Sequence, residues 1–190
     1  MKRSEINRAI MKSGVFFINN GWAMPPQPKW DVTDFGLGDF EKFGLILINL
    51  AEEVEYCEKL MYAAKGQTTP SHTHKKKKED IICRTGELVV QLWANDPANN
   101  DSMDTFEMKV NGSFQTITSD DKITLKAGER ITIEPGVWHA FWPESDECII
   151  GEVSTANDDL NDNFFSNPDI GRYAHIDEDE SPLVKLLSDK

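Results

Sequence analysis

Gly66-Gln67-Thr68-Thr69-Pro70-Ser71-His72-Thr73-His74-Lys75-Lys76-Lys77-Lys78-Glu79 places two histidines two positions apart and a carboxylate five positions beyond the second. In an extended chain successive side chains point to opposite faces, so residues two apart share a face. His72 and His74 can therefore direct both imidazoles into one site, and Glu79 re-enters it as the next strand begins. The same alternation sorts the lysines. Lys77 falls on the face of Glu79 and should lean toward the cavity, where a cation could shuttle a proton or steady an oxyanion. Lys76 and Lys78 read as a solvated face.

Outward from this stretch, between Trp30 and about Ser154, the chain consists of short β-type runs separated by Gly, Pro, Asn and Asp turns, as in a sandwich or barrel. The runs are 44–49, 56–63, 80–83, 87–93, 105–110, 114–117, 122–125, 129–133 and 148–153, with no long helical period among them. Asn111-Gly112 favours a type I′ hairpin turn and Lys126-Ala127-Gly128-Glu129 supplies another reversal, so adjacent strands should pair antiparallel. The polar segment 95–104 reads as a hairpin loop. At the N-terminal end, Ile6, Ile10 and Val15 predict one short helix over 4–17, with Ser4 as its N-cap and Gly14 as a late breaker. Three prolines then make 21–28 an irregular arm crossing a surface. Past Ser154 the chain turns acidic and loop-like, with Phe164, Phe165, Tyr173 and Ile176 as anchors folding it back. The organisation expected is a single domain over 1–190, made of a helix and arm (1–29), a β region (30–154) and an acidic segment packing back on it (155–190).

Composition removes several function classes. With 33 acidic against 20 basic residues the formal net charge is -13, which argues against a nucleic-acid surface and against anionic membranes. A neutral or cationic small molecule is an easier partner. Cys57, Cys83 and Cys148 lack any CxxC spacing and read as buried free thiols, not as disulfides or thiolate zinc ligands. The opening Met1-Lys2-Arg3-Ser4-Glu5 leads into no secretion signal, and no run of about 20 apolar residues follows. A cytoplasmic protein is the expectation.

The second half of the site is Glu134-Pro135-Gly136-Val137-Trp138-His139. Any one of these histidines alone would read as a structural residue, but at this spacing His72, His74, Glu79 and His139 read together as ligands of one divalent metal. Such a shell suits Mn²⁺, Fe²⁺, Co²⁺, Ni²⁺ or Zn²⁺, and open positions would let two substrate oxygens chelate. Glu152 lies among apolar residues in Cys148-Ile149-Ile150-Gly151-Glu152-Val153, where a carboxylate is costly unless it meets water, a partner or a site. It reads either as a cavity-facing general base, its pKa raised toward neutrality by burial or a nearby anion, or as an outward, paired glutamate. Trp93, Trp138, Phe141 and Trp142 read as core, with one or two able to wall a sugar pocket. The tract Asp158, Asp159, Asn161, Asp162 and Asn163 reads as a solvated loop or, less simply, as a cover hydrogen-bonding hydroxyls; Arg172 and 177–180 divide the same way, and His175 reads as structural.

The pattern G-x5-H-x-H-x4-E-x6-G from Gly66 to Gly86 resembles the first cupin motif, and Pro135-Gly136 with His139 resembles the later one, although it departs from the strict P-x-G form. That resemblance implies an all-β fold, a cupin β-barrel (double-stranded β-helix or jelly roll), with the four ligands at its mouth, a short N-terminal helix and an irregular C-terminal segment. More closely, the chain resembles the D-lyxose isomerase family through Met1-Lys2-Arg3-Ser4, 30–36, His72-Thr73-His74, Lys77, 79–82, Leu92-Trp93, Pro135-Gly136, 139–142, 151–154, 157–159, Arg172-Tyr173 and 176–180. The family implies a homodimer with one metal per chain, Mn²⁺ preferred. Its activity interconverts D-lyxose and D-xylulose, often with D-mannose and D-fructose as a second pair. In the mechanism expected, the open-chain sugar chelates the metal through two oxygens, Glu152 takes the proton, and Lys77 assists a cis-enediol. Rival readings are an Fe²⁺ or Ni²⁺ cupin dioxygenase and a non-catalytic sugar-binding cupin. One departure is the short arm before Trp30, where many relatives carry a longer insert.

Overall fold

The computed structural model describes residues 1–99, 103–155, 158, 161–171 and 175–189. A helix α1 (Arg3–Asn19) comes first, then β1 (Lys29–Thr33), a single helical turn α2 (Phe40–Phe43), β2 (Leu45–Glu52), β3 (Tyr56–Ala64), β4 (Thr69–Thr73), β5 (Glu79–Thr85) and β6 (Glu87–Trp93). After a 3₁₀ turn at Pro97–Asn99 follow β7 (Thr105–Val110), β8 (Ser113–Thr118), β9 (Lys122–Lys126), β10 (Arg130–Ile133), β11 (Trp138–Pro143), β12 (Glu147–Thr155) and β13 (Phe164–Phe165). Among the described residues no helix is long and apolar enough to cross a membrane.

The strands form two antiparallel sheets, ordered β1-β2-β3-β12-β5-β10-β7-β8 and β13-β4-β11-β6-β9. One apolar cluster fills the space between them, with Met61, Ile81, Cys83, Ile131 and Ile150 from the larger sheet against Leu88, Val90, Leu92 and Phe141 from the smaller. A second cluster lies on the other face of the larger sheet, where Ile6, Ile10 and Phe17 of α1 cover Ile46, Ile48, Leu60, Tyr62 and Ile149. Burial on both faces explains why β2 opens with an unbroken apolar run instead of an alternating one.

The expected β-barrel is not formed. Each sheet ends in open edges, β1 and β8 in one and β13 and β9 in the other, and no described ladder joins the two sheets or closes either. Closure needs a hydrogen-bonded register between edge strands. Here the β1 edge instead receives the tail, with a bridge from Trp30 to Leu186. The metal-site motif specifies local turns and a shared face, and neither dictates closure.

Other expectations shift too. The helix starts earlier and continues through Gly14, which lies mid-helix against the Trp30 ring. Lys2 stands at the N-cap, while Ser4 sits in the first turn and its hydroxyl donates to Asp179. The Asn111-Gly112 turn joins β7 to β8 with positive φ at both residues, as expected. The Ala127-Gly128 reversal does not make a hairpin: β9 pairs with β6, and β10 with β5 and β7, so this turn carries the chain from one sheet to the other. Cys57, Cys83 and Cys148 are buried free thiols. Asn157, Asp159, Arg172, Tyr173 and part of the 95–104 segment lie outside the described residues.

Candidate metal centre

His72, buried in β4, is registered directly against His139 of β11, so two imidazoles meet across neighbouring strands with ring centroids 4.1 Å apart. His74, just past β4, turns its ring to the same side, 5.2 Å from His72. Glu79 opens β5 in the opposite sheet, registered against Ser154 of β12. The site therefore lies between the sheets, built by both.

All four side chains are buried, at 7% exposure or less. One donor atom from each lies within 4.8 Å of the others. Their outer ring nitrogens are engaged: Nδ1 of His72 is 2.8 Å from the Pro70 carbonyl, and that of His74 is 2.5 Å from the Asp162 carbonyl. An Nδ1–H held this way leaves Nε2 with its lone pair toward the centre. His139 Nε2 and Glu79 Oε1 lie 2.9 Å apart, yet these atoms and His74 Nε2 make no hydrogen bond of acceptable geometry. Buried polar atoms without partners are expensive unless something else satisfies them. Burial, with the neighbouring imidazoles, drives the His72 pKa well below its ordinary value, and burial also lowers that of His74. Burial pushes the Glu79 carboxyl up, but Lys77 and His139 outweigh it and hold it well below the usual carboxylate range. Neutral imidazoles with an ionised carboxylate are the donor forms a divalent cation requires, so the residues fit such an ion.

Beside this cluster stands a row of charged groups. Lys77, as its strand face implied, is buried, with Nζ 2.7 Å from Glu79 Oε2 and 3.0 Å from Glu152 Oε1. Glu152, in the middle of β12, faces the cavity instead of solvent. Its expected upward pKa shift is not observed. Burial pushes the carboxyl up, but Lys59 at 3.4 Å and Lys77 more than offset that and hold it below the ordinary glutamate value. Burial likewise pushes the Lys77 ammonium down, and the two carboxylates reverse the shift and raise it.

Lys59 was not singled out in the sequence; in β3 it looks like one surface lysine among several, and only its register against Glu152 reveals it. Of the four aromatics, Phe141 lines the cavity, joined by Phe35 and Phe165, while Trp93 donates its ring N–H to Asp120 and Trp142 lies under Lys122. From the acidic tract, Asp162 is buried and Asn163 faces the cavity with Oδ1 unpartnered. Asp158 accepts from Asn161, outside the cavity. The 177–180 run ties down the helix, with Glu178 on Arg3, Asp179 on Ser4 and Glu180 on Asn7. His175 is exposed and its carbonyl accepts from the N-terminal ammonium.

Two facing antiparallel sheets with three imidazoles and a carboxylate buried between them define a β protein with a divalent-metal site. The sequence profile of the D-lyxose isomerase family matches residues 27–190. A D-lyxose/D-mannose isomerase of Escherichia coli O157:H7 is 33% identical, covering 100% of this chain and 98% of that protein. One of Serratia proteamaculans is also 33% identical, covering 96% and 94%. The chain belongs to the D-lyxose isomerase family. Among solved structures, the L-ribose isomerase of Cellulomonas parahominis shares the fold at a TM-score of 0.71 and 18% identity, covering 93% of this chain and 98% of that one.

Proposed function

We propose that this chain is a metal-assisted aldose–ketose isomerase that interconverts D-lyxose and D-xylulose, accepts D-mannose and D-fructose as a second pair, prefers Mn²⁺, and works as a homodimer. One observation carries the reading: an ionised carboxylate, Glu152, lines the same cavity as His72, His74 and Glu79, held by two lysines. The names of the relatives above set the substrate class.

A divalent cation held by His72, His74, Glu79 and His139 would supply Lewis acidity, which polarises a sugar carbonyl and acidifies the adjacent C–H. Glu152 takes that proton and returns it to the neighbouring carbon through an enediol, while the hydroxyl proton passes from one substrate oxygen to the other. Its lowered pKa keeps it ionised at neutral pH, ready as a base, though a weaker one than an unpaired glutamate. Lys77, held as a cation between two carboxylates, suits the stabilisation of a developing oxyanion better than the shuttling of protons. The apolar wall of Phe35, Phe141 and Phe165 excludes water from the reactive intermediate. The test uses metal-free protein reconstituted with each divalent ion and assayed under nitrogen on lyxose, mannose and ribose. Lyxose turnover that is greatest with Mn²⁺, with solvent deuterium entering C1 or C2, is expected. A strict requirement for oxygen would overturn the reading. Sedimentation of the protein checks the dimer.

A further inference from the structure

Asp162 is the one carboxylate of its tract that the described fold buries, at 4% exposure, and burying an ionised group is costly unless it is fully partnered. Its partners are three consecutive backbone amides. Oδ1 accepts from Lys75 N–H at 2.9 Å and Lys76 N–H at 3.2 Å; Oδ2 accepts from Lys76 N–H at 3.1 Å and Lys77 N–H at 2.9 Å. Successive amides converging on one anion form a concave nest that is far stronger than a single neutral hydrogen bond. Burial pushes the Asp162 carboxyl up, and these amides reverse the shift and hold it ionised. The same residue also acts through its main chain, because its carbonyl receives the Nδ1 of His74. Two positions further on, Phe164 and Phe165 pair with Thr73 and His72 of β4, so Asp162 is tethered beside the strand it serves.

We propose that Asp162 is a positioning residue for the metal centre: its carboxylate sets the backbone of the lysine loop, and thereby the place of Lys77, while its carbonyl sets the ring of His74. This rests on the metal-site reading above and adds the device that orients two of its members. A residue that oriented neither would serve only to pin the tail, and the two roles make different measurements move.

In metal-free wild-type protein, the amides of Lys75, Lys76 and Lys77 should exchange with solvent slowly. Asp162→Asn keeps the shape but loses the charge and one acceptor, and should speed exchange at those amides more than at other loop amides. Co²⁺ titrated into the same protein, followed by calorimetry and visible absorption, should bind about 10- to 100-fold more weakly, as for other lost outer partners of metal ligands, with a changed spectrum. Arg3→Ala, which loosens the helix clamp outside the cavity, serves as a control for general destabilisation and should leave Co²⁺ affinity unchanged. Free exchange of the three wild-type amides overturns the proposal without any variant. So does Co²⁺ affinity within twofold of wild type in folded Asp162→Asn, or an equal loss in Arg3→Ala. A wild-type protein that binds no Co²⁺ removes the metal reading and the proposal together, whereas one that binds Co²⁺ but fails to isomerise lyxose removes only the functional reading.

Discussion

At the scale of single residues, the site depends on opposite charges arranged so closely that each sets the state of the next. Glu152 stays ionised because Lys59 and Lys77 offset its burial. Replacing it with glutamine keeps the size but removes the proposed proton acceptor, so Glu152→Gln should lower kcat by about 10²- to 10⁴-fold. Its affinity for the metal should be unchanged by calorimetry. Normal turnover in that variant would refute the base assignment. Lys59→Met removes one of the offsetting cations, so the Glu152 pKa must rise; since the proposed base works ionised, the acidic limb of the kcat/KM profile should move to higher pH. His72 and His74 were legible in the sequence because a period of two is a local property, and Glu79 and His139 through the spacing of the motifs that hold them. Lys59 was not, because nothing in Tyr56-Cys57-Glu58-Lys59 distinguishes a cavity lysine from a surface one before β3 is registered against β12.

At the scale of elements, the turns decide which sheet the chain joins. Gly86 links β5 of the larger sheet to β6 of the smaller at φ +78°, and a Cβ there would lie 2.7 Å from the Glu147 carbonyl. Both the backbone region and the close approach demand glycine. Gly86→Ala should therefore lose about 1–3 kcal/mol, read as a lower denaturant midpoint, with activity per folded molecule preserved. All nine strands read from the sequence begin within one residue of the position expected, because turn residues mark them plainly. Strands β1, β4, β11 and β13 were not read as strands: β1 follows the proline arm, β4 contains Pro70, β11 is aromatic without alternation, and β13 has only two residues.

At the scale of the whole molecule, the two ends of the chain are bound together. Arg3, the first residue of α1, is buried and reaches both Glu178 and Asp189 at 2.6 Å. Burial pushes the Asp189 carboxyl up, but the Arg3 guanidinium outweighs it, so its folded pKa lies below the ordinary value. A depressed carboxylate pKa contributes stability that is present above the unfolded value of about 4 and is lost as pH falls through the folded one. The stability difference between wild type and Arg3→Ala, measured by urea unfolding, should thus be constant above about pH 5 and shrink as the pH falls below about 4. Metal acts on the same scale. Chelation should lower the melting temperature and readdition restore it, since an ion at about 100 times its Kd adds roughly 2.7 kcal/mol to the folded state.

By itself the sequence determined the strand-rich architecture and the shared face of His72 and His74, because alternation and turn chemistry act within a few residues, and the motif spacing marked Glu79 as their partner. Only the tertiary structure decided that the sheets stay open, that β9 and β10 part company, and that Lys59 and Asp162 reach the site, the latter from 88 positions beyond His74. Those outcomes depend on which strands become neighbours. Neighbours are chosen by the packing of two buried faces and by the edges the tail covers, and no local period encodes that choice.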